Sequence, residues 1–391
     1  MTDRPSADRR LRVVFVDHVA RLSGAELALL NILPSLAAEV DVQVVLGEDG
    51  PLVDRLRDSG IPTDVMPMAS SLRDVRKEKT SPGDLDPRAL VHLPRYVARL
   101  SRRLRALDAD LVHTNSLKAA LYGGAAARLV HIPAVWHLRD RIAPDYLPRS
   151  AVALVRSASR TLPTAVVANS RTTLDTLPRL DHSWVVYNAV APDPAPSIPR
   201  SAPQVARESV VGLVGRLAPW KGQHVFLDAF AEAFRGTEVR GRIIGSAIFD
   251  ENQYANALRR QVERLGISGQ IEFRGFRAHI WTELAELDVL VHCSVIPEPF
   301  GQVVLEGMAA GVPVIASGAG GPAELITSGV DGILTAPGDV PELAATLRRL
   351  HDDAGLRAEL AVAGQRRASE FTPERTAAKL ISIYREIISA P

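Results

Sequence analysis

The chain has 391 residues, more than one hydrophobic core usually serves, so two domains are expected; 46% hydrophobic and 23% charged residues exclude a disordered or fibrous protein. A net charge of +1 argues against nucleic acid as a partner, and a single cysteine, Cys293, excludes an intrachain disulfide and a thiolate metal cluster and favours a reducing compartment, the cytoplasm. The N-terminal charges adjoin only a short apolar run, far below the roughly 18 apolar residues of a membrane span, so neither signal peptide nor anchor is expected.

Short β-branched runs alternate with longer helix-like stretches along the chain, the pattern of parallel sheets with crossover helices. The first run, LRVVFVD, leads into LSGAE at 22–26, where Gly24 opens a helical stretch over 24–38. A glycine there lets backbone amides approach a phosphate or sugar, and Ser23-Gly24 also reads as a plain turn and cap. After VQVVL, the helical stretch 87–107 carries Arg95, Arg99, Arg102, Arg103 and Arg105 ahead of any acid. Its arginines are expected on several faces, as on a solvated surface; the sharper reading is contact with anionic lipid or an acceptor phosphate.

Asp108-Ala109-Asp110 spells the DxD of metal-dependent transferases, but it precedes the strand LVHT instead of following one, so it is assigned to a turn. His113 stands in that run, and a helix over 116–129 follows. His137 is read at the end of another strand, in AVWHLRD, with Arg139 and Asp140 beside it; either histidine also suits a structural bond to a loop. AVVAN and WVVY complete the first half, and the Pro-rich stretch APDPAPSIPRSAP reads as a stiff linker.

In the second half SVVGLVG (209–215) runs into GRLAPWKGQ, which places two cations, Arg216 and Lys221, at a strand's carboxyl end. RIIG, QIEFRG, DVLVHC and VPVIA are the further strands. After DVLVHC, Glu298 and Glu306 are separated by seven residues, with PFG between them at a helix start. Unpaired amides at a helix beginning near Phe300 or Gly301 suit a diphosphate; Glu298 outside that end suits sugar hydroxyls, and Glu306, about two turns in, a ribose hydroxyl pair. The bland alternative makes Glu298 a cap and Glu306 a surface charge. No P-loop occurs, and Gly318, Gly320 and Gly321 form no dinucleotide fingerprint. The chain closes on an amphipathic helix, FTPERTAAKLISIYREIIS.

Taken together, SGAE, HTNSLKAALYG, VWHLRD, YNAV, GRLAPWKG, EPFGQVVLE and GGPAEL make the chain resemble the GT4-type retaining glycosyltransferases over nearly its whole length. The resemblance implies a GT-B fold, with two Rossmann-like doubly wound α/β domains facing across a cleft, retention of anomeric configuration, and neither an obligatory metal nor another cofactor. The domains are expected at 1–190 on the acceptor side and 206–372 on the donor side, joined by a linker over 191–205, with 373–391 packing back on the first.

Arg216, Lys221, Glu298 and Glu306 match donor-binding positions of that family, Gly24 its glycine-rich loop near the phosphates, and Phe300, Gly301, Gln302 and Val303 its amide donors. Gly275 and Phe276 are expected to flank the base. Members often carry His-x-His where this chain has His113 and Asn115, so His137 and His113 are both catalytic candidates beside Glu298, with His137 preferred. The expected donor is a UDP- or GDP-linked sugar; the expected acceptor is a glycan, a lipid-linked sugar or a small molecule, in the cytoplasm or at the inner membrane face. The alternatives are a noncatalytic nucleotide-sugar-binding subunit, which Asn115 keeps open, and a nucleotide-sugar epimerase on the same fold.

Overall fold

The computed structural model describes residues 9–73, 87–191, 209–247 and 251–389. The chain divides into two compact units, Met1–Ala189 with Thr372–Pro391, and Val190–Phe371. The stretch read as a linker lies outside the described residues apart from Ala191.

The first unit holds seven strands: β1 (Arg12–Asp17), β2 (Asp41–Leu46), β3 (Thr63–Val65), β4 (Leu111–Thr114), β5 (Ala134–Leu138), β6 (Ala165–Ala168) and β7 (Ser183–Val185). They pair in parallel in the order β3-β2-β1-β4-β5-β6-β7. Helices cover both faces of such a sheet, so central strands need apolar side chains in both directions. β4, β5 and β6 are accordingly buried at every residue.

Two helices show how spacing selects the buried face. Ala377, Leu380, Tyr384 and Ile387 of the terminal helix Pro373–Ser389 recur every three or four residues and join Leu29, Ile32, Leu33 and Leu36 of Gly24–Ala37 in one core cluster. The terminal helix is thus part of the first unit. In Pro87–Ala106, Tyr96, Val97, Leu100 and Leu104 are buried, while Arg95, Arg99 and Arg102 are exposed. At about 100° per residue those three share one face, with Arg103 and the exposed Arg105 to either side of it. Arg103 turns instead to Asp64, at 2.7 Å. Asp108 and Asp110 form the turn into β4, where they accept from the Arg12 side chain and the Arg12 backbone N–H, each at 2.8 Å.

The second unit holds β8 (Val210–Val214), β9 (Arg240–Ile244), β10 (Ile271–Gly275), β11 (Val289–His292), β12 (Val314–Ser317) and β13 (Ile333–Thr335). The parallel order is β10-β9-β8-β11-β12-β13. In both sheets the winding reverses beside the first strand, between β1 and β4 and between β8 and β11. Loops leaving the carboxyl ends of two such strands diverge to opposite faces and leave a crevice that accepts ligands. Among the described residues, no helix is long and apolar enough to cross a membrane.

Candidate active site

At the switch point of the second unit, the loop leaving β8 carries Arg216 and ends in the turn Pro219–Lys221. Gly222 follows at φ 72°, so close to the opposite loop that a Cβ would fall 1.9 Å from the Cys293 carbonyl oxygen. The Val295 N–H donates to the Trp220 carbonyl at 2.9 Å. These contacts seat the loop after β8 against the loop after β11, and so place Lys221 beside Glu298.

Among the described residues the Glu298 carboxylate takes three donors: Lys221 Nζ at 2.5 Å on Oε1, and His292 Nε2 at 2.8 Å and Ser294 Oγ at 2.7 Å on Oε2. Burial alone would raise its pKa; the Lys221 charge, then His292, overcome this and hold the carboxyl well below the usual carboxylate range. A carboxylate offers about four acceptor positions, so one remains, on Oε1. The Glu298 side chain is therefore engaged across the loops and does not cap the helix that follows.

The backbone here depends on the glycine pair of GGPAEL. The Gly321 N–H donates to the Glu298 carbonyl at 2.8 Å, and a Cβ on Gly320 or Gly321 would lie 2.2 Å from Glu298 O or 2.3 Å from Phe300 O. Phe300 is buried, Gly301 is the N-cap, and the helix runs Gln302–Ala309. The first amides of such a helix, at Gln302 and Val303, fall outside its own ladder. Because the helix starts at Gln302, Glu306 lies little more than one turn in, not two. It is half-buried, and burial pushes its carboxyl up to about 7 against an opposing bond from Gln302.

Arg216 and Lys221 both lie against the Trp220 ring, at 5.9 and 4.4 Å from its centroid, and Arg216 pairs with Glu251 at 3.7 Å. Gly275 ends β10 at a register shift, two strands from β8, and Phe276 after it is 55% exposed. The structure therefore gathers Arg216, Lys221, Glu298, Phe300, Gly301, Gln302, Val303 and Glu306 on two neighbouring loops and one helix. Gly275 and Phe276 stand apart at the sheet's edge, and Gly24, His113 and His137 belong to the other unit.

In the first unit, SGAE, HTN, WHLRD and YNAV meet in one buried polar cluster. Arg139 donates to Asn115 Oδ1 at 2.8 Å and to Asn188 Oδ1 at 2.7 Å, and its Nη2 stands 3.4 Å from His137 Nδ1. Asn115 donates in turn to Asp17 at 2.8 Å, so its amide joins a carboxylate to a guanidinium. Asp17 also contacts His18, whose Nδ1 lies 2.8 Å from Ser116 Oγ. Ser23 donates to Glu26 instead of capping Gly24–Ala37.

His113 and His137 lie within β4 and β5, not at strand ends, and both are fully buried. Both nitrogens of His113 are engaged, by Tyr384 at 2.7 Å and His137 at 3.0 Å, whereas Nε2 of His137 has no partner among the described residues. Burial, then Arg139, pushes His113 down to about 3 and His137 well below its ordinary value. Burial and the Asp17 charge push Glu26 up to about 7. Burial opposes ionisation of Asp17 too, but His18, Asn115 and Ser116 hold its pKa below the ordinary value. Reading the sequence missed Asp17, His18, Glu26, Asn188, His292, Ser294 and Tyr384. Glu26 and Asn188 at least stand inside recognised motifs; His292, Ser294 and Tyr384 carry no local signal. Among the described residues, no group of three His, Cys, Asp or Glu side chains is placed to hold a metal ion.

Residues 22–194 match the family described as Glycosyltransferase Family 4, and residues 196–367 the one described as Glycosyl transferases group 1. A 2-deoxystreptamine glucosyltransferase of Streptomyces kanamyceticus is 31% identical over 312 residues, 73% of this chain and 79% of that protein. The chain belongs to the GT4-type glycosyltransferases. A GDP-mannose-dependent alpha-mannosyltransferase of Mycobacterium tuberculosis is 33% identical to this glycosyltransferase over 290 residues, 68% of this chain and 72% of the relative. The crystal structure of Anabaena HepE in complex with UDP and glucose superposes with a TM-score of 0.83 at 29% identity, covering 96% of this chain and all of that one. The two doubly wound sheets are those of the GT-B fold.

Proposed function

We propose that this GT4-type glycosyltransferase moves a sugar from a UDP- or GDP-linked donor to a hydroxyl of a glycan, lipid-linked sugar or small molecule, with retention of configuration. The observation that carries this reading is the part-buried Lys221–Glu298 pair at the switch point of the second sheet, beside the start of Gln302–Ala309. As the bond between the sugar and the diphosphate breaks, negative charge grows on the leaving group. Lys221 and Arg216, with the amides of Gln302 and Val303, stabilise that charge more in the transition state than before it.

Glu298, held ionised, uses its remaining acceptor position for a sugar hydroxyl, and Glu306 accepts from the ribose pair. The exposed Phe276 ring, beside Gly275, offers a face to the base. A Cβ on Gly24 would meet no atom within 4 Å, so packing within the first unit does not require glycine there. The acceptor hydroxyl attacks the anomeric carbon from the face that the diphosphate leaves. The C–O bond to the acceptor forms as the C–O bond to the diphosphate breaks, and a phosphate oxygen takes the acceptor proton.

Similarity to HepE, solved with UDP and glucose, and to a GDP-mannose-dependent mannosyltransferase supports a nucleotide sugar and leaves both bases open. The test is the configuration of the product. NMR of material formed from an α-linked nucleotide sugar shows an α-glycoside on this mechanism; a β-glycoside would contradict it.

A further inference from the structure

Three consecutive residues close β11 and open its loop, and all three are buried: His292, Cys293 and Ser294. Cys293 engages the loop after β8, its thiol donating to the Gly222 carbonyl at 3.0 Å. Its two neighbours meet the carboxylate with which Lys221 of that loop pairs. His292 Nε2 lies 2.8 Å from Glu298 Oε2 and 3.1 Å from Ser294 Oγ, and Ser294 Oγ lies 2.7 Å from the same Oε2. An ionised carboxylate only accepts, so His292 Nε2 carries a hydrogen and the serine O–H is directed at Oε2.

The other ring nitrogen of His292, Nδ1, is buried and meets no partner among the described residues. A side chain serving only the core would do better as leucine, which brings no unpaired nitrogen inside. The hydrogen bonding of this ring is directed at Glu298 and Ser294 alone among the described residues. The last torsion of a glutamate is broad, so a Glu298 held by Lys221 only is free to turn its carboxylate plane. Two donors on Oε2 remove that freedom and leave the one open acceptor position on Oε1, beside Lys221. We propose that His292 is a positioning residue: with Ser294 it fixes the plane of the Glu298 carboxylate, so that the open position on Oε1 is presented to a hydroxyl of the donor sugar. The inference rests on the transferase reading above and deepens it, since His292 acts through Glu298 and touches no ligand itself.

The test compares His292→Leu, which fills the space without a donor, with His292→Gln, whose amide nitrogen restores a donor at the reach of Nε2. Crystal structures of the full chain without ligand show the Glu298 carboxylate turned in His292→Leu and in place in His292→Gln. In His292→Leu, kcat/KM for the nucleotide sugar falls about tenfold, while the Kd for UDP or GDP, which carry no sugar, stays within about threefold of the wild type. His292→Gln recovers most of the lost kcat/KM. Ser294→Ala, which removes the second donor with little change in packing, shows the same split in smaller degree and serves if His292→Leu does not fold. A residue that merely supported the loops would lower nucleotide affinity and sugar transfer together. That joint loss overturns the proposal, as do an unmoved carboxylate or a wild-type kcat/KM in His292→Leu, or no recovery in His292→Gln. If the wild type binds neither nucleotide, it is the donor reading that fails, and the crystal structures still decide whether His292 holds the carboxylate.

Discussion

Lys221→Ala lowers the turnover of sugar transfer about 10²- to 10³-fold, the loss expected when a fixed charge aimed at a developing anion is removed. The ammonium is held in two ways, by the Glu298 carboxylate at 2.5 Å and by the Trp220 ring at 4.4 Å, so it costs little reorganisation as the diphosphate departs. Its removal has a second consequence. Glu298 loses the largest influence that holds it ionised against burial and keeps only His292 and Ser294, so the variant also handles the sugar hydroxyl less well. Lys221→Arg keeps the charge but replaces a compact ammonium by a planar fork, and recovers only part of the rate. Single-turnover release of nucleoside diphosphate measures both variants; near-wild-type turnover in Lys221→Ala would remove this residue from the leaving-group site.

Arg139→Ala destabilises the first unit by about 3–5 kcal/mol, the scale for removing one partner from a buried charge cluster. All three guanidinium nitrogens are in use, and the nearby carboxylates of Asp17 and Glu26 would be left facing each other. The deficit depends on pH. Glu26 has a folded pKa near 7, above its ordinary 4.5, so its contribution is fully present below 4.5 and is lost as pH rises through 7. Arg139 is one of the groups that offsets this loss once Glu26 is ionised. Urea unfolding should therefore show a larger gap between wild type and Arg139→Ala at pH 8 than at pH 6. A gap that narrows at pH 8 would mean that Arg139 does not compensate Glu26.

Much of this architecture can be read without coordinates because central parallel strands are apolar on both faces, as Val13–Val16 and Leu290–Val291 are. β3 and β13 escape such reading: each has three residues, too few for a period, and forms only because a neighbouring strand offers a free edge. The loop holding Glu298, Phe300 and Gly301 was legible through spacing and glycine. Its partners His292 and Ser294 were not, since nothing local marks a strand-end histidine as a carboxylate's donor. The same limit explains the histidines of the first unit. His113 and His137 look alike as strand residues, and only the arrival of Tyr384 from the far end of the chain and of Arg139 from the next turn shows which nitrogen is free. Asn115, the departure from the family's His-x-His, is intelligible once Asp17 and Arg139 are seen on its two sides.

The most direct test of the central claim, that the loops after β8 and β11 hold a nucleotide sugar, is calorimetric titration of the purified protein with UDP-glucose and GDP-mannose at pH 6 and pH 8. Glu306 titrates near 7 when free and accepts from the ribose as a carboxylate, so binding depresses its pKa, releases a proton and weakens as pH falls through 7. One donor should bind about tenfold more tightly at pH 8 than at pH 6. Glu306→Gln should lose that dependence, and Lys221→Ala should bind weakly at both pH values. Failure of both donors to bind, or binding that ignores pH and both substitutions, would contradict the assignment of this site.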